Sequence, residues 1–97
     1  MILDFADQGT EDVFHGTGSK AARRCLPQAL WPAARRKLDR LNRATEARDL
    51  ADPPGNRLEA LKGDRAGFFS IRVNEQYRIV FRFENGDARQ VQIVDYH

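Results

Sequence analysis

Asp95, Tyr96 and His97 stand side by side at the end of the alternating stretch "ARQVQIVDYH". A carboxylate, a phenol and an imidazole can accept, donate and relay protons, and the imidazole does so near neutral pH, where its unperturbed pKa lies. A polar chain end ordinarily frays into solvent. Here the alternation that leads into it reads as a β-strand, which can hold a terminus rigidly. Upstream, Arg72 and Arg78 flank the short stretch "VNEQY". Guanidinium groups fork onto phosphate oxygens in pairs, so two of them close together form a candidate anion site.

Side-chain parity says whether these residues can meet. Along "GFFSIRV", Phe69, Ile71 and Val73 share one face; along "QYRIVFRF", Tyr77, Ile79, Phe81 and Phe83 do. For the two apolar sets to lie on one side of a sheet, paired residue numbers must sum to an even value. A three-residue loop over residues 74–76 meets that condition, pairing Ile71 with Ile79 and Arg72 with Arg78. Like charges directly opposite each other cost a few tenths of a kcal/mol to about 1 kcal/mol. Either both arginines reach water or a carboxylate such as Glu75, or a phosphate between them turns repulsion into binding. At "FENGD", Gly86 suits the left-handed position of a three-residue loop over residues 84–86. That register sets Ile79 against Val91 and Tyr77 against Ile93, and carries Asp95, Tyr96 and His97 to the rim that holds Arg72 and Arg78.

The elements that must position this rim are legible in outline. "MILDF" reads as a strand, and "TEDVFHG" as a short helix with Thr10 as N-cap and Gly16 as its stop. From residue 27 to about residue 47, Leu30, Trp31, Ala34, Leu38, Leu41 and Ala44 recur at helical spacing, predicting one long amphipathic helix ended by "DPPGN". Beyond it "RLEALK" joins the three strands above in an antiparallel meander. The expected fold is α+β: an N-terminal strand and helical pair packed on one face of a small antiparallel sheet, as one domain over residues 1–97.

Thirteen of the sixteen basic residues are Arg, and the net charge of +2 is unevenly spread. Residues 20–43 hold eight bases against the single acid Asp39, whereas the first twelve residues hold four acids and no base. Arg36, Arg40 and Arg43 lie on the polar side of the long helix. That side is either an ordinary solvated face or one that follows RNA phosphates. The lone Cys25 can form no internal disulfide and reads as structural. No apolar run approaches a membrane span and no leader is evident, so the expectation is a cytoplasmic protein with no membrane contact. His15 receives no role, and Trp31 reads as core or as part of a partner contact.

The segments "RLEALKGDR", "SIRVNEQYRIVF" and the terminal "DYH", with "TEDVF" near the start, together resemble HigB-type toxins of the RelE/ParE superfamily of bacterial toxin–antitoxin pairs, over nearly the whole chain. The resemblance implies a RelE-like fold and a cytoplasmic, ribosome-dependent endoribonuclease that cuts messenger RNA and arrests translation. Its implied partners are the ribosome, the messenger and a HigA-like helix-turn-helix antitoxin, with DNA reached only through that antitoxin. No metal or other cofactor is implied. Carried over residue by residue, the family's functional positions fall on Lys62, Arg72, Arg78, Asp95, Tyr96 and His97. Lys62 fits least well, since a plain hairpin places it at the far end of its strand from Arg72.

Metal-free RNA cleavage needs a base for the ribose 2′-hydroxyl, positive charge on the phosphorane and an acid for the leaving oxygen. Arg72 and Arg78 would supply the charge and His97 the proton exchange. Tyr96 would stack on or hydrogen-bond the substrate, and Asp95 would orient His97 or take a proton itself. The main alternative is a ParE-like inhibitor of DNA gyrase without RNA chemistry, against which the intact "DYH" and the arginine pair speak. A binding protein that has lost its activity is a third reading.

Overall fold

The computed structural model describes residues 1–96; His97 lies outside the described residues. Three helices precede four strands: α1 (Gln8–His15), α2 (Lys20–Cys25), α3 (Trp31–Arg43), β1 (Glu59–Ala60), β2 (Phe68–Arg72), β3 (Tyr77–Glu84) and β4 (Asp87–Asp95). The strands form one antiparallel sheet in the order β1-β2-β3-β4. Val13 of α1, Ala22 of α2 and Ala34, Leu38 and Leu41 of α3 bury against Ile71, Ile79, Phe81, Val91 and Ile93. The helices thus cover one face of the sheet, as expected for an α+β chain.

The helical half differs from the sequence reading in four respects. Asp7, not Thr10, caps α1, its carboxylate accepting the Thr10 amide at 2.7 Å. Thr10 is instead buried inside the helix, where its hydroxyl accepts the Ile93 amide at 2.9 Å and so ties α1 to β4. Residues 20–25, read as no element, form α2 behind a Ser19 cap that bonds the Ala22 amide at 3.0 Å. There Gly9 allows the close approach, because a Cβ on it would meet the Ala21 carbonyl oxygen and Cys25 Cβ, each at 2.7 Å. The long helix is shorter than predicted: a 3-10 turn (Gln28–Leu30) opens it, and it stops at Arg43. Beyond that point the Asp49 carboxylate captures the Thr45 and Glu46 amides and starts a separate 3-10 turn, Ala47–Ala51. Those bonds hold the Asp49 pKa below its usual range.

The sheet confirms the first hairpin and corrects the second. Ile71 pairs with Ile79 and Arg72 with Arg78. The loop at residues 74–76 is held by the Asn74 carboxamide oxygen, which accepts the Gln76 and Tyr77 amides. In the second hairpin the loop is Asn85 and Gly86 alone, both with positive φ, and Glu84 pairs with Asp87. Two residues with φ > 0 match the twist of the flanking strands, which favours this tighter turn. On its own it would put Ile93 on the wrong face. A β-bulge at Gln90 (φ 53) inserts one residue and restores parity, so Ile79 faces Ile93 and Tyr77 faces Asp95. Asp4 holds the bulge, its carboxylate accepting the Gln90 amide and its carbonyl the Val91 amide. The bulge also explains why "MILDF" is not a full strand: beside β4 it makes only the isolated parallel bridges Ile2 to Ala88 and Phe5 to Val91.

Candidate functional site

Alternation along β3 sends Ile79 and Phe81 into the core and leaves Arg78 and Arg82 on the face away from the helices. Ser70 and Arg72 of β2 share that outer face, opposite Val80 and Arg78. The corrected register draws the end of β4 two residues closer to Arg78 than the sequence predicts, about 7 Å along a strand. As a result the Tyr96 amide donates to the Gln76 carbonyl at 2.6 Å, and the Arg78 guanidinium lies 5.5 Å from the centre of the Tyr96 ring. Gln76 also donates from its side chain to the Asp95 carboxylate at 3.1 Å. Arg72, Arg78 and Tyr96 are therefore gathered at one rim of the outer face, while Asp95, paired with Tyr77, ends β4 beside them with its side chain on the opposite face. His97, placed there by the sequence reading, lies outside the described residues.

The opposed arginines are held differently. Arg78 is anchored: Nε donates to Ser70 Oγ at 2.9 Å, and Nη2 donates to the Arg57 carbonyl at 2.6 Å and more weakly to the Ser70 carbonyl at 3.4 Å. Arg57 presents that carbonyl from a left-handed conformation (φ 48) at the end of a 3-10 turn, Pro54–Asn56. The Ser70 hydroxyl and the two carbonyl oxygens thus fix one fork in place. Among the described residues Arg72 meets only the Glu75 carboxylate, at 3.9 Å, and the Glu75 side chain is 94% exposed. So loose a contact leaves Arg72 able to exchange Glu75 for another anion.

Tyr96, 44% exposed, forms a wall between two depressions. Arg57, Arg72, Asn74, Glu75 and Arg78 line the first. Glu59, Leu61, Lys62 and Arg65 line the second. Lys62 does sit at the far end of β2 from Arg72, since Leu61 donates to the Phe68 carbonyl. It nevertheless joins the same groove through Tyr96. Sequence reasoning did not single out Arg57, Glu59, Arg65 or Ser70. The pairing of Glu59 with Ser70 puts the Glu59 carboxylate on the outer face, a placement that only the two-residue β1 ladder decides.

Arg36, Arg40 and Arg43 are not part of this groove. They are exposed on α3, which packs on the opposite face of the sheet. Arg40 donates to the Asp52 carbonyl at 2.9 Å and borders, with Arg43, Asp49 and Leu50, a separate hollow. Between them Lys37 reaches the buried Asn56 carboxamide oxygen, and burial lowers its pKa. Cys25 is half-buried beside the Thr10 hydroxyl, and burial pushes its thiol pKa up, as befits a structural residue. No helix among the described residues is long and apolar enough to cross a membrane.

Residues 3–97 match the family of HigB-like toxins, described as the RelE-like toxin of type II toxin–antitoxin system HigB. The chain is 40% identical over 88 residues to Toxin HigB-1 of Vibrio cholerae, which covers 91% of this chain and 90% of that protein. It is 42% identical over 66 residues to Endoribonuclease HigB of Proteus vulgaris, covering 62% and 72%. Among solved structures, the heterotetrameric YoeB–YefM toxin–antitoxin complex from Staphylococcus aureus aligns over 100% of this chain and 98% of its own, with a TM-score of 0.62 at 13% identity. The YoeB dimer from the same organism aligns over 99% and 94%, with a TM-score of 0.59 at 20% identity. At such identities the structural likeness is one of fold. The chain belongs to the HigB family of RelE-like toxins of type II toxin–antitoxin systems.

Proposed function

We propose that this toxin is a metal-independent endoribonuclease that cuts messenger RNA on the translating ribosome, and that a HigA-like helix-turn-helix antitoxin, which also brings the pair to DNA, holds it inactive. The observation that carries the reading is the opposed pair Arg72 and Arg78 on an open face, one anchored and one loosely held, with the Tyr96 ring beside them. The name of the Proteus vulgaris relative, an endoribonuclease, supports the same chemistry.

In this reading the ribose 2′-hydroxyl attacks the adjacent phosphorus. The bond from phosphorus to O2′ forms and the bond to O5′ breaks, leaving a 2′,3′-cyclic phosphate and a free 5′-hydroxyl. Arg72 and Arg78 stabilise the charge that builds on the phosphorane, where prepositioned donors act most strongly. Tyr96 presents its ring to a base. His97 exchanges the proton lost by O2′ or gained by O5′, and Asp95 orients it. Glu59, on the other side of Tyr96, is a second carboxylate able to serve as base. Lys62 neutralises a neighbouring phosphate.

The test is to add the purified toxin to translating ribosomes and map the ends of the messenger. Discrete cuts are expected, and His97→Gln should remove them while the protein stays folded. An intact messenger together with a block of gyrase supercoiling would replace this reading with a ParE-like one.

A further inference from the structure

The groove on the outer face does not end at Lys62. Arg65 is the wall between the second depression and a third, lined by Phe5, Phe68, Gln90 and Gln92 and edged by Asp4 and Ala6. Tyr96 and Arg65 therefore divide the outer face into three compartments in series. Their chemistry differs. The first holds the guanidinium groups of Arg57, Arg72 and Arg78, and the second holds Lys62 and Arg65. The third offers aromatic rings and two carboxamides.

Those groups are positioned by the sheet. Gln92 pairs with Val80, which puts its side chain on the outer face. The bulge fixes Gln90, whose backbone amide is bound by Asp4. Neither side-chain carboxamide bonds another protein group among the described residues. The Arg65 guanidinium lies over the Phe68 ring, 5.5 Å from its centre.

We propose that the third compartment is a nucleobase subsite. It takes a base of single-stranded RNA displaced along the strand from the phosphate between Arg72 and Arg78, while Lys62 and Arg65 hold the intervening backbone. The base stacks against Phe68, and Gln92 and Gln90 read its edge. Single-stranded RNA is recognised in this manner, with splayed bases on aromatic or guanidinium planes and side-chain amides on their edges. Cations that follow the backbone supply the affinity. The inference rests on the RNA-cutting reading above and adds a specificity determinant to it.

Gln92→Leu keeps the size of the side chain and removes its hydrogen bonds. With cuts mapped on a mixed pool of messengers, the wild-type toxin is expected to prefer one nucleotide at a fixed offset from the cut. In Gln92→Leu that preference ratio should fall about tenfold, through loss of cutting at the preferred sequences. Phe68→Ala should weaken cutting about tenfold whatever the base, because stacking is tolerant of sequence. A wild type with no preference at any offset, or a Gln92→Leu toxin that is folded and retains the wild-type preference, would overturn the subsite and leave the endoribonuclease reading standing. A wild type that cuts no RNA would overturn the reading beneath it.

Discussion

Arg78→Ala should lower messenger cleavage by about 10²–10³-fold, the loss typical when one fixed donor to a developing anion is removed. The structure says how this arginine is prepared for that role. Its Nε and Nη2 are committed to Ser70 and to the Arg57 carbonyl, so the plane of the fork is set before any substrate arrives. Its charge therefore acts without the entropic cost of ordering a long side chain. The Tyr96 ring 5.5 Å away loses its neighbour in the same substitution. Ser70, fully buried beneath Arg78, would lose a partner, a stability cost of about 1 kcal/mol that leaves the fold populated. Arg78→Lys keeps the charge but not the fork and should recover only part of the activity. Arg72, with its loose contact to Glu75, should respond similarly in cleavage and hardly at all in stability. Cleavage by folded Arg78→Ala at the wild-type rate would remove the arginine pair from the mechanism.

The largest effect on stability without touching the groove is expected at Thr10. Its hydroxyl accepts the Ile93 amide inside the core, two residues before the end of β4. Thr10→Val matches the shape and deletes the acceptor, stranding a buried N–H at a cost of about 1–3 kcal/mol. For a domain of this size each kcal/mol corresponds to roughly 4–8 °C in Tm. Thr10→Ser retains the acceptor and loses a methyl group, about 0.8 kcal/mol. Thermal or urea unfolding of the two variants separates the effects. Equal losses would mean that methyl packing, not the hydrogen bond, holds α1 to β4.

Much of this site could be read from the sequence because it depends on parity. The alternation of Phe69, Ile71, Tyr77, Ile79 and Phe81, with a loop of fixed length, leaves one register that keeps the apolar residues together, and that register sets Arg72 opposite Arg78. The second hairpin escaped because two corrections of one residue each, a shorter turn and a bulge, leave parity unchanged while shifting the pairing by two. A signal was present: running straight back from Val91 puts Arg89 on the core face in place of Ala88, which is fully buried. Only a bulge between them resolves that conflict. Helix α2 spans six residues, fewer than two turns, too short for periodicity to register, and only the Ser19 cap announces it. Arg57, Glu59 and Arg65 enter the groove through irregular backbone and a two-residue strand, where side-chain direction follows no repeat. The family resemblance supplied Lys62, which lines the depression on the other side of Tyr96 from Arg72 and Arg78.

The chemistry of the cut ends tests the account most directly. Messenger RNA is to be incubated with translating ribosomes and the toxin, and the new termini are analysed by sensitivity to phosphatase and kinase and by mass. Attack by the ribose 2′-hydroxyl predicts a 2′,3′-cyclic phosphate, or the 3′-phosphate it opens to, on one fragment and a 5′-hydroxyl on the other. Fragments carrying a 5′-phosphate and a 3′-hydroxyl would mean that water, not the ribose, attacks the phosphate, and would contradict the mechanism built on Arg72, Arg78 and the terminal residues.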